Sequence, residues 1–289
     1  MKKCLECMAS FSECIEREID DGNLNFPSVF ELSMRIKRIA DDPNSTLIDL
    51  SNAIRGEPVL SARILRMANT MQMNPYHVPI TSISDAISRL GLNVIRVLAY
   101  SVAAEQLVKD YRSSNLQRIA RHLWHHSMDV ACWSHALSKE LKISKPDTAM
   151  LTGMMRSIGQ FYLLAKVAEH PSVIQDIHQF SEFAIKWQFQ VGHVVRQALD
   201  LPQSIQEALS RPDHQIDRWP LARLEDIIYV SIWQAETANP FEAIVAKDQE
   251  SEIRPLMAEP EDQLRLLDLF DRVSQDKHDI FSAVCGEHG

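Results

Sequence analysis

The chain has 289 residues, with 30 Lys+Arg against 39 Asp+Glu and only 8 Gly. Glycine at about 3% is less than half the ~7% usual in globular proteins. No three glycines fit G-x-G-x-x-G and no pair fits a P-loop, so phosphate-cradling glycine loops are excluded, and the 45% hydrophobic, 24% charged composition excludes collagen-like, low-complexity and disulfide-scaffold classes. The first element is a helix carrying the stripe Met8, Phe11, Ile15 and Ile19. Glu6, Glu13, Glu16 and Glu18 interrupt any apolar leader, and no apolar span of about 20 residues is expected anywhere. Three of the five cysteines, Cys4, Cys7 and Cys14, fall on this helix. No second Cys or His pair lies near them, so they read as small apolar residues of a reduced, cytoplasmic chain rather than a zinc site.

Ser28-x-x-Glu31 is a capping box for a second helix through Leu32, Ile36 and Ile39, which Asp41-Asp42-Pro43-Asn44 stops. A short helix follows through Leu47, Leu50 and Ile54. Pro58 suits a first helical position and opens the stripe Leu60, Ile64, Met67 and Met71. Ser82-x-x-Asp85 caps Ile83, Ile87 and Leu90, Gly91 stops that helix, and an apolar helix runs from Val94 to Val108. From Leu116 to Leu141 apolar residues recur every three or four positions, one helix of about seven turns. Pro146 starts a helix that is apolar round most of its circumference from Met150 to Ala168, so it belongs at the centre. Ser172-x-x-Gln175 caps the next. Leu201-Pro202 marks a short helix, residues 239–260 read as a loop, and helices lie near Leu221–Ala238 and Glu261–Val284. The fold class is all-α. Its expected units are an N-terminal helical extension (1–22), a first helical lobe (23–114), a second (115–220), and acidic C-terminal helices packing on the second lobe (221–289).

Charge follows these divisions. Residues 221–289 hold 15 acidic and 6 basic side chains, which is the whole net charge of −9. A basic nucleic-acid surface is therefore not expected. The stretch from Arg55 to Arg121, 9 basic against 4 acidic residues, reads as solvated faces and interhelical ion pairs.

The one dense set of ligand-capable residues is His122-x-x-His125-His126-x-x-Asp129. His126 lies in the apolar stripe and faces the core, where one hydrogen bond would satisfy it. His125 and Asp129 share another face and are expected in solvent. Ser127 points about 100° away from its neighbour His126, so the two make no nucleophilic pair. Trp124, Trp133, Trp187, Met71, Met73, Met154 and Met155 read as core.

An ordered set of segments carries a resemblance. Leu24-Asn25-Phe26-Pro27-Ser28, Asp42-Pro43-Asn44-Ser45, the run Ala53 to Asn69 and the run Ile80 to Leu92 resemble the N-terminal lobe of the HDOD family. Leu123-Trp124-His125-His126-Ser127 and Leu151 to Gly159 resemble its second, HD-derived lobe. The resemblance implies a multi-helical HDOD fold in two lobes, kin to HD-domain metal phosphohydrolases, and the role of a non-catalytic bacterial signalling or regulatory module. HD enzymes hold a metal with a His, a His-Asp pair and a further Asp. His126 matches the first position, but the pair falls on Arg156-Ser157. Arg has no lone pair to give a metal, and the Ser hydroxyl is a poor carboxylate. The family's later histidines fall on Phe189 and on Pro212-Asp213, with His193 and His214 out of register.

No resident metal or cofactor and no catalytic residue are therefore expected. On one continuous helix Arg156 shares a face with Thr152 and Gln160, so His126, Arg156, Ser157, Thr152 and Gln160 are the candidate ligand-binding residues. The fixed charge of Arg156 would hold a small anion such as phosphate. The expected partner is a signalling protein, with no membrane and no nucleic acid; a homodimer stays open. The alternative from another class is a metal-dependent phosphohydrolase acting on nucleotides or phosphoesters.

Overall fold

The computed structural model describes residues 2–21, 31–110, 113–167, 170–210, 216, 219–246 and 256–285. Ser28, Pro212, Asp213, His214 and the Cys4 side chain lie outside the described residues. Every described element is a helix, so the chain is all-α.

Helix α1 (Lys2–Asp20) buries Met8, Phe11 and Ile15. Phe11 meets the rings of His170, Phe180 and Phe183. At its far end Glu18 accepts from the Tyr162 hydroxyl at 2.5 Å and pairs with buried Lys166 at 2.8 Å. Helix α2 (Glu31–Asp41) precedes α3 (Leu47–Arg55), where Thr46 and Asp49 form a reciprocal capping box. Helix α4 (Pro58–Ala68) opens on Pro58. It ends before Met71, which is 64% exposed rather than core because the helical stripe stops at Met67.

Helix α5 (Ile83–Asp110) is two helical pieces joined at Gly91, whose φ of 77° and ψ of 163° suit glycine alone. Ser82 caps it through the Asp85 amide at 3.1 Å. Its segment Ile83–Gln106 has the length and apolar composition of a membrane span, which sequence reading did not anticipate. Most of that segment is buried against its neighbours α4, α6 (Ser114–Leu141) and α7 (Pro146–Met155), the position of a core helix.

The single helix expected through Met150 to Ala168 is two, α7 and α8 (Ile158–Val167), broken at Arg156-Ser157. The break lets α7 lie on α6 while α8 lies on α9 (Ile177–Ala198). Each approach runs over a glycine. A Cβ on Gly153 would stand 2.9 Å from Ala131 Cα of α6, and one on Gly159 would stand 2.2 Å from the Gln188 carbonyl oxygen of α9. The cap of α9 is Asp176, which accepts from the Gln179 amide at 3.0 Å; Ser172 instead precedes a 3₁₀ turn over Val173–Gln175.

Helices α10 (Gln203–Ala208) and α11 (Leu224–Gln234) follow. The expected loop after Ala238 contains a further helix, α12 (Pro240–Ala246), because Asn239 Oδ1 accepts from the Phe241 amide at 3.0 Å and starts it. Helix α13 (Pro260–Cys285) closes the described chain. One apolar core joins α1, α4, α5, α6, α8 and the end of α13, through residues such as Phe11, Ile64, Leu98, Leu123, Tyr162 and Ile280. A second cluster sets Trp133 and Leu137 of α6 against Ile227, Val230, Leu266 and Phe270 of α11 and α13. The C-terminal helix also reaches the first half of the chain, where Arg66 Nε donates to the Ala283 carbonyl at 2.6 Å.

Candidate functional site

Helix α6 presents His126 and, nearly one turn on, Asp129. Both are buried, at 4% and 2% exposure. Asp129 is therefore not in solvent as the spacing suggested. His125 is half-buried, its ring against Trp124 and Phe281. His126 Nδ1 lies 2.8 Å from the Thr237 carbonyl oxygen. A carbonyl only accepts, so Nδ1 carries the proton and Nε2 the lone pair. Burial, assisted by the charge of Arg156, keeps His126 below its ordinary pKa, against the pull of Thr237, Glu242 and Asp129.

Asp129 holds the same turn from the other side: its Oδ2 accepts from the Glu236 amide at 2.6 Å, and its Oδ1 pairs with Lys277 Nζ of α13 at 2.6 Å. Lys277 is itself 5% exposed and also meets Glu236 at 2.7 Å. Burial pulls its pKa down, but the two carboxylates outweigh burial and hold it above the ordinary lysine value. The α11–α12 turn is thus pinned to α6 by a histidine and an aspartate together. Beside it a cleft of about 510 Å³ opens, lined by Arg118 and His122 of α6 and by Glu236, Thr237, Pro240 and Ile244. His122 faces this cleft from an exposed position and does not pair with His126.

Two turns beyond Asp129, His135 is 4% exposed and its Nδ1 finds no hydrogen-bond partner among the described residues. Burial, then the charge of Lys139, lowers its pKa to about 4, with Asp276 opposing. A histidine held neutral by the fold supplies stability that is complete above its unfolded pKa of about 6.5 and lost as pH falls toward its folded value. Acidification from about pH 6.5 to about pH 4 is therefore expected to cost roughly 3 kcal/mol through His135, with His126 acting in the same direction. Urea unfolding across this range checks it: His135→Leu should flatten the acid limb, and an unchanged limb would contradict the assignment.

The second half of the site forms at the break between α7 and α8. Arg156 ends α7, stacks on the Phe189 ring with its guanidinium carbon 4.4 Å from the centroid, and donates from Nη1 to Gln188 Oε1 at 3.1 Å. Burial lowers its pKa, and Glu242 of α12 opposes the shift. Ser157 is buried beside it. The charge of Arg156 acts on His126, and that of Glu242 acts on both.

The structure does not bring Thr152 and Gln160 to Arg156 in the way a continuous helix would. The Thr152 hydroxyl donates back to the Thr148 carbonyl at 2.7 Å, and Gln160 Oε1 accepts from Asn239 Nδ2 at 2.8 Å. The break at Arg156 is the reason, since it turns α8 away from the wheel of α7. Sequence reading passed over Gln188, Arg196, Asn239 and Glu242. Gln188, Gly192 and Arg196 stand at i, i+4 and i+8, a single face of α9, and that spacing was the available signal.

A metal of the HD type does not fit these residues. His126 keeps one lone pair, but the position expected to supply the His-Asp pair offers a guanidinium and a hydroxyl. Among the described residues no group of three or more His, Cys, Asp or Glu side chains could hold an ion.

The all-helical fold defines the class. The HDOD domain family profile matches residues 26–215, and the chain belongs to this family. No curated protein matches the chain significantly. Among solved structures it is similar to a candidate metal-dependent phosphohydrolase from Shewanella amazonensis SB2B, at 24% identity and a TM-score of 0.63, covering 96% of this chain and 99% of that one. It is also similar to an HDOD domain protein of unknown function from Geobacter sulfurreducens, at 18% identity and a TM-score of 0.55, covering 93% and 97%. A candidate signal transduction protein from Marinobacter aquaeolei VT8 matches at 15% identity and a TM-score of 0.51, covering 96% of this chain and 65% of that one. At these identities the likeness carries the fold.

Proposed function

We propose that this chain is a non-catalytic regulatory module of signal transduction that works by binding: a signalling protein at its surface, and a small anion in the pocket of His126 and Arg156. The observation that carries the reading is Arg156 itself. It is half-buried, stacked on Phe189 and hydrogen-bonded to Gln188, in the position the resemblance matches to the metal-binding pair of HD enzymes. A fixed guanidinium there repels a cation and cannot lower the pKa of a bound water for attack on phosphate. The expected compartment is the cytoplasm. The cleft beside Thr237 offers a second place for a partner segment, next to the acidic C-terminal helices, which would favour a basic partner surface.

The name of the Shewanella relative favours a second reading, a metal-dependent phosphohydrolase. Fold kinship alone does not carry activity, and the donor set argues against it here. Elemental analysis of the purified full chain, with hydrolysis assays on nucleotides and phosphoesters in added manganese, zinc, iron or nickel, separates the two. The expected result is substoichiometric metal and no turnover above buffer. Stoichiometric metal with hydrolysis that a chelator removes would overturn the regulatory reading.

A further inference from the structure

The α9 face opposite the α7–α8 break holds a second arginine. Arg196 is 2% exposed. Among the described residues its Nη2 reaches only the Leu209 carbonyl, at a long 3.4 Å, and its Nε has no hydrogen-bond partner. Gly192, one turn earlier, makes the room for it: a Cβ there would stand 2.8 Å from Arg196 Nη1. Gln188, one turn before Gly192, holds Arg156. The two guanidiniums therefore lie along one face of one helix, close enough that Arg156 contributes to depressing Arg196, to about 10, after burial as the larger cause.

Among the described residues neither arginine has a carboxylate oxygen within 4 Å. Glu242 acts on Arg156 only from beyond that range. A buried cation and a half-buried one that repel each other, with no carboxylate in contact among the described residues, cost folding energy, which a bound anion would recover. The free edge of Arg196 is the Nε edge through which a guanidinium takes an oxyanion bidentately. A carboxylate, with two oxygens and one charge, is satisfied by one fork. A tetrahedral dianion has oxygens for both.

We propose that Arg156 and Arg196, positioned by Gln188 and Gly192, form a binding site for a phosphate-type oxyanion, either free phosphate or the terminal phosphate of a nucleotide. This deepens the anion-binding part of the function proposed above, and rests on it, by adding Arg196 and the class of ligand. The site needs no metal and leaves the phosphate intact.

Thermal unfolding of the full chain in millimolar inorganic phosphate, against chloride at matched ionic strength, tests it. A parallel series with AMP distinguishes the free ion from a nucleotide. The expected result is a saturable rise in Tm with phosphate that Arg156→Met and Arg196→Met each abolish. In chloride Arg196→Met should melt no lower than the wild type, because it removes a buried charge that has no ion-pair partner among the described residues; Arg156→Met gives up the Phe189 stack and the Gln188 bond and is judged by its phosphate response. Should Arg196→Met fail to fold, Arg196→Lys keeps the charge and loses the fork, and phosphate affinity should fall about tenfold or more, the worth of one charge-assisted hydrogen bond. A wild type that melts identically in phosphate, AMP and chloride would overturn the site, and so would a variant that keeps the full response. Stronger stabilisation by AMP than by phosphate would identify the nucleotide as the source. Loss of the site in a metal-free, inactive chain would leave the regulatory reading standing; metal-dependent hydrolysis would sink that reading whatever phosphate does.

Discussion

Replacing Asp129 by Ala is expected to lower the unfolding free energy by roughly 3–5 kcal/mol, the cost of breaking a buried ion pair from one side. Three effects add. Lys277 keeps only Glu236, which is 73% exposed, as its counter-charge. The amides of Glu236 and Thr237 lose their shared acceptor. Of the two contacts from α6 to the α11–α12 turn, only the one from His126 then remains. Urea unfolding measures this directly. The double variant Asp129→Ala/Lys277→Met should recover part of the loss, because the stranded cation is gone and Met fills the contacts with Trp133 and Phe281. A single variant within about 1 kcal/mol of wild type would place the pair among ordinary surface ion pairs and contradict this account of the turn.

The second large effect is expected at Gly159. A Cβ there would lie 2.2 Å from the Gln188 carbonyl oxygen and 2.7 Å from the Gly192 amide nitrogen. Both are backbone atoms of α9, so no side chain can swing aside, and α8 and α9 must separate. Gly159→Ala should cost about 3 kcal/mol or more, the upper part of the range for overpacking. Gly56→Ala is the control. Its Cβ would meet nothing closer than 3.4 Å and the backbone there is right-handed, so stability should hold or rise by about 0.5 kcal/mol through the unfolded chain. If the two substitutions cost the same, the close approach of α8 to α9 is wrong. Gly159→Ala should also weaken the response to phosphate, because it displaces the α9 face that carries Gln188 and Arg196.

Much of the fold was legible in the sequence. Helical spacing fixed the long course of α6, Pro58 and Ser82 marked real helix starts, and Gly91 marked a real break. The elements missed were those in which tertiary contact overrides local pattern. The apolar circumference from Met150 to Ala168 hides a break at Arg156-Ser157, because two buried helices in succession look like one. Helix α12 starts from a single Asn239 cap within a stretch too short for periodicity to reveal. Met71 continued a stripe numerically after its helix had ended. Of the candidate site, His126 and Arg156 were read from the resemblance, and the charge of Arg156 acts on His126. Asp129 was misplaced because its partner, Lys277, lies on α13, far along the chain. Arg196 was overlooked because an arginine on an amphipathic helix ordinarily reaches solvent. Only the packing of α9 against α8, over Gly159 and Gly192, shows that this one does not.

Under the proposed function a fixed guanidinium, that of Arg156, takes the place of a metal. Crystals of the full chain grown with both manganese and arsenate, a phosphate analogue, would test it by anomalous scattering at the two absorption edges. The account predicts an arsenic peak within hydrogen-bond reach of Arg156 and Arg196, and no manganese peak at His126. A manganese ion on His126 Nε2 with further protein donors around it would contradict the account.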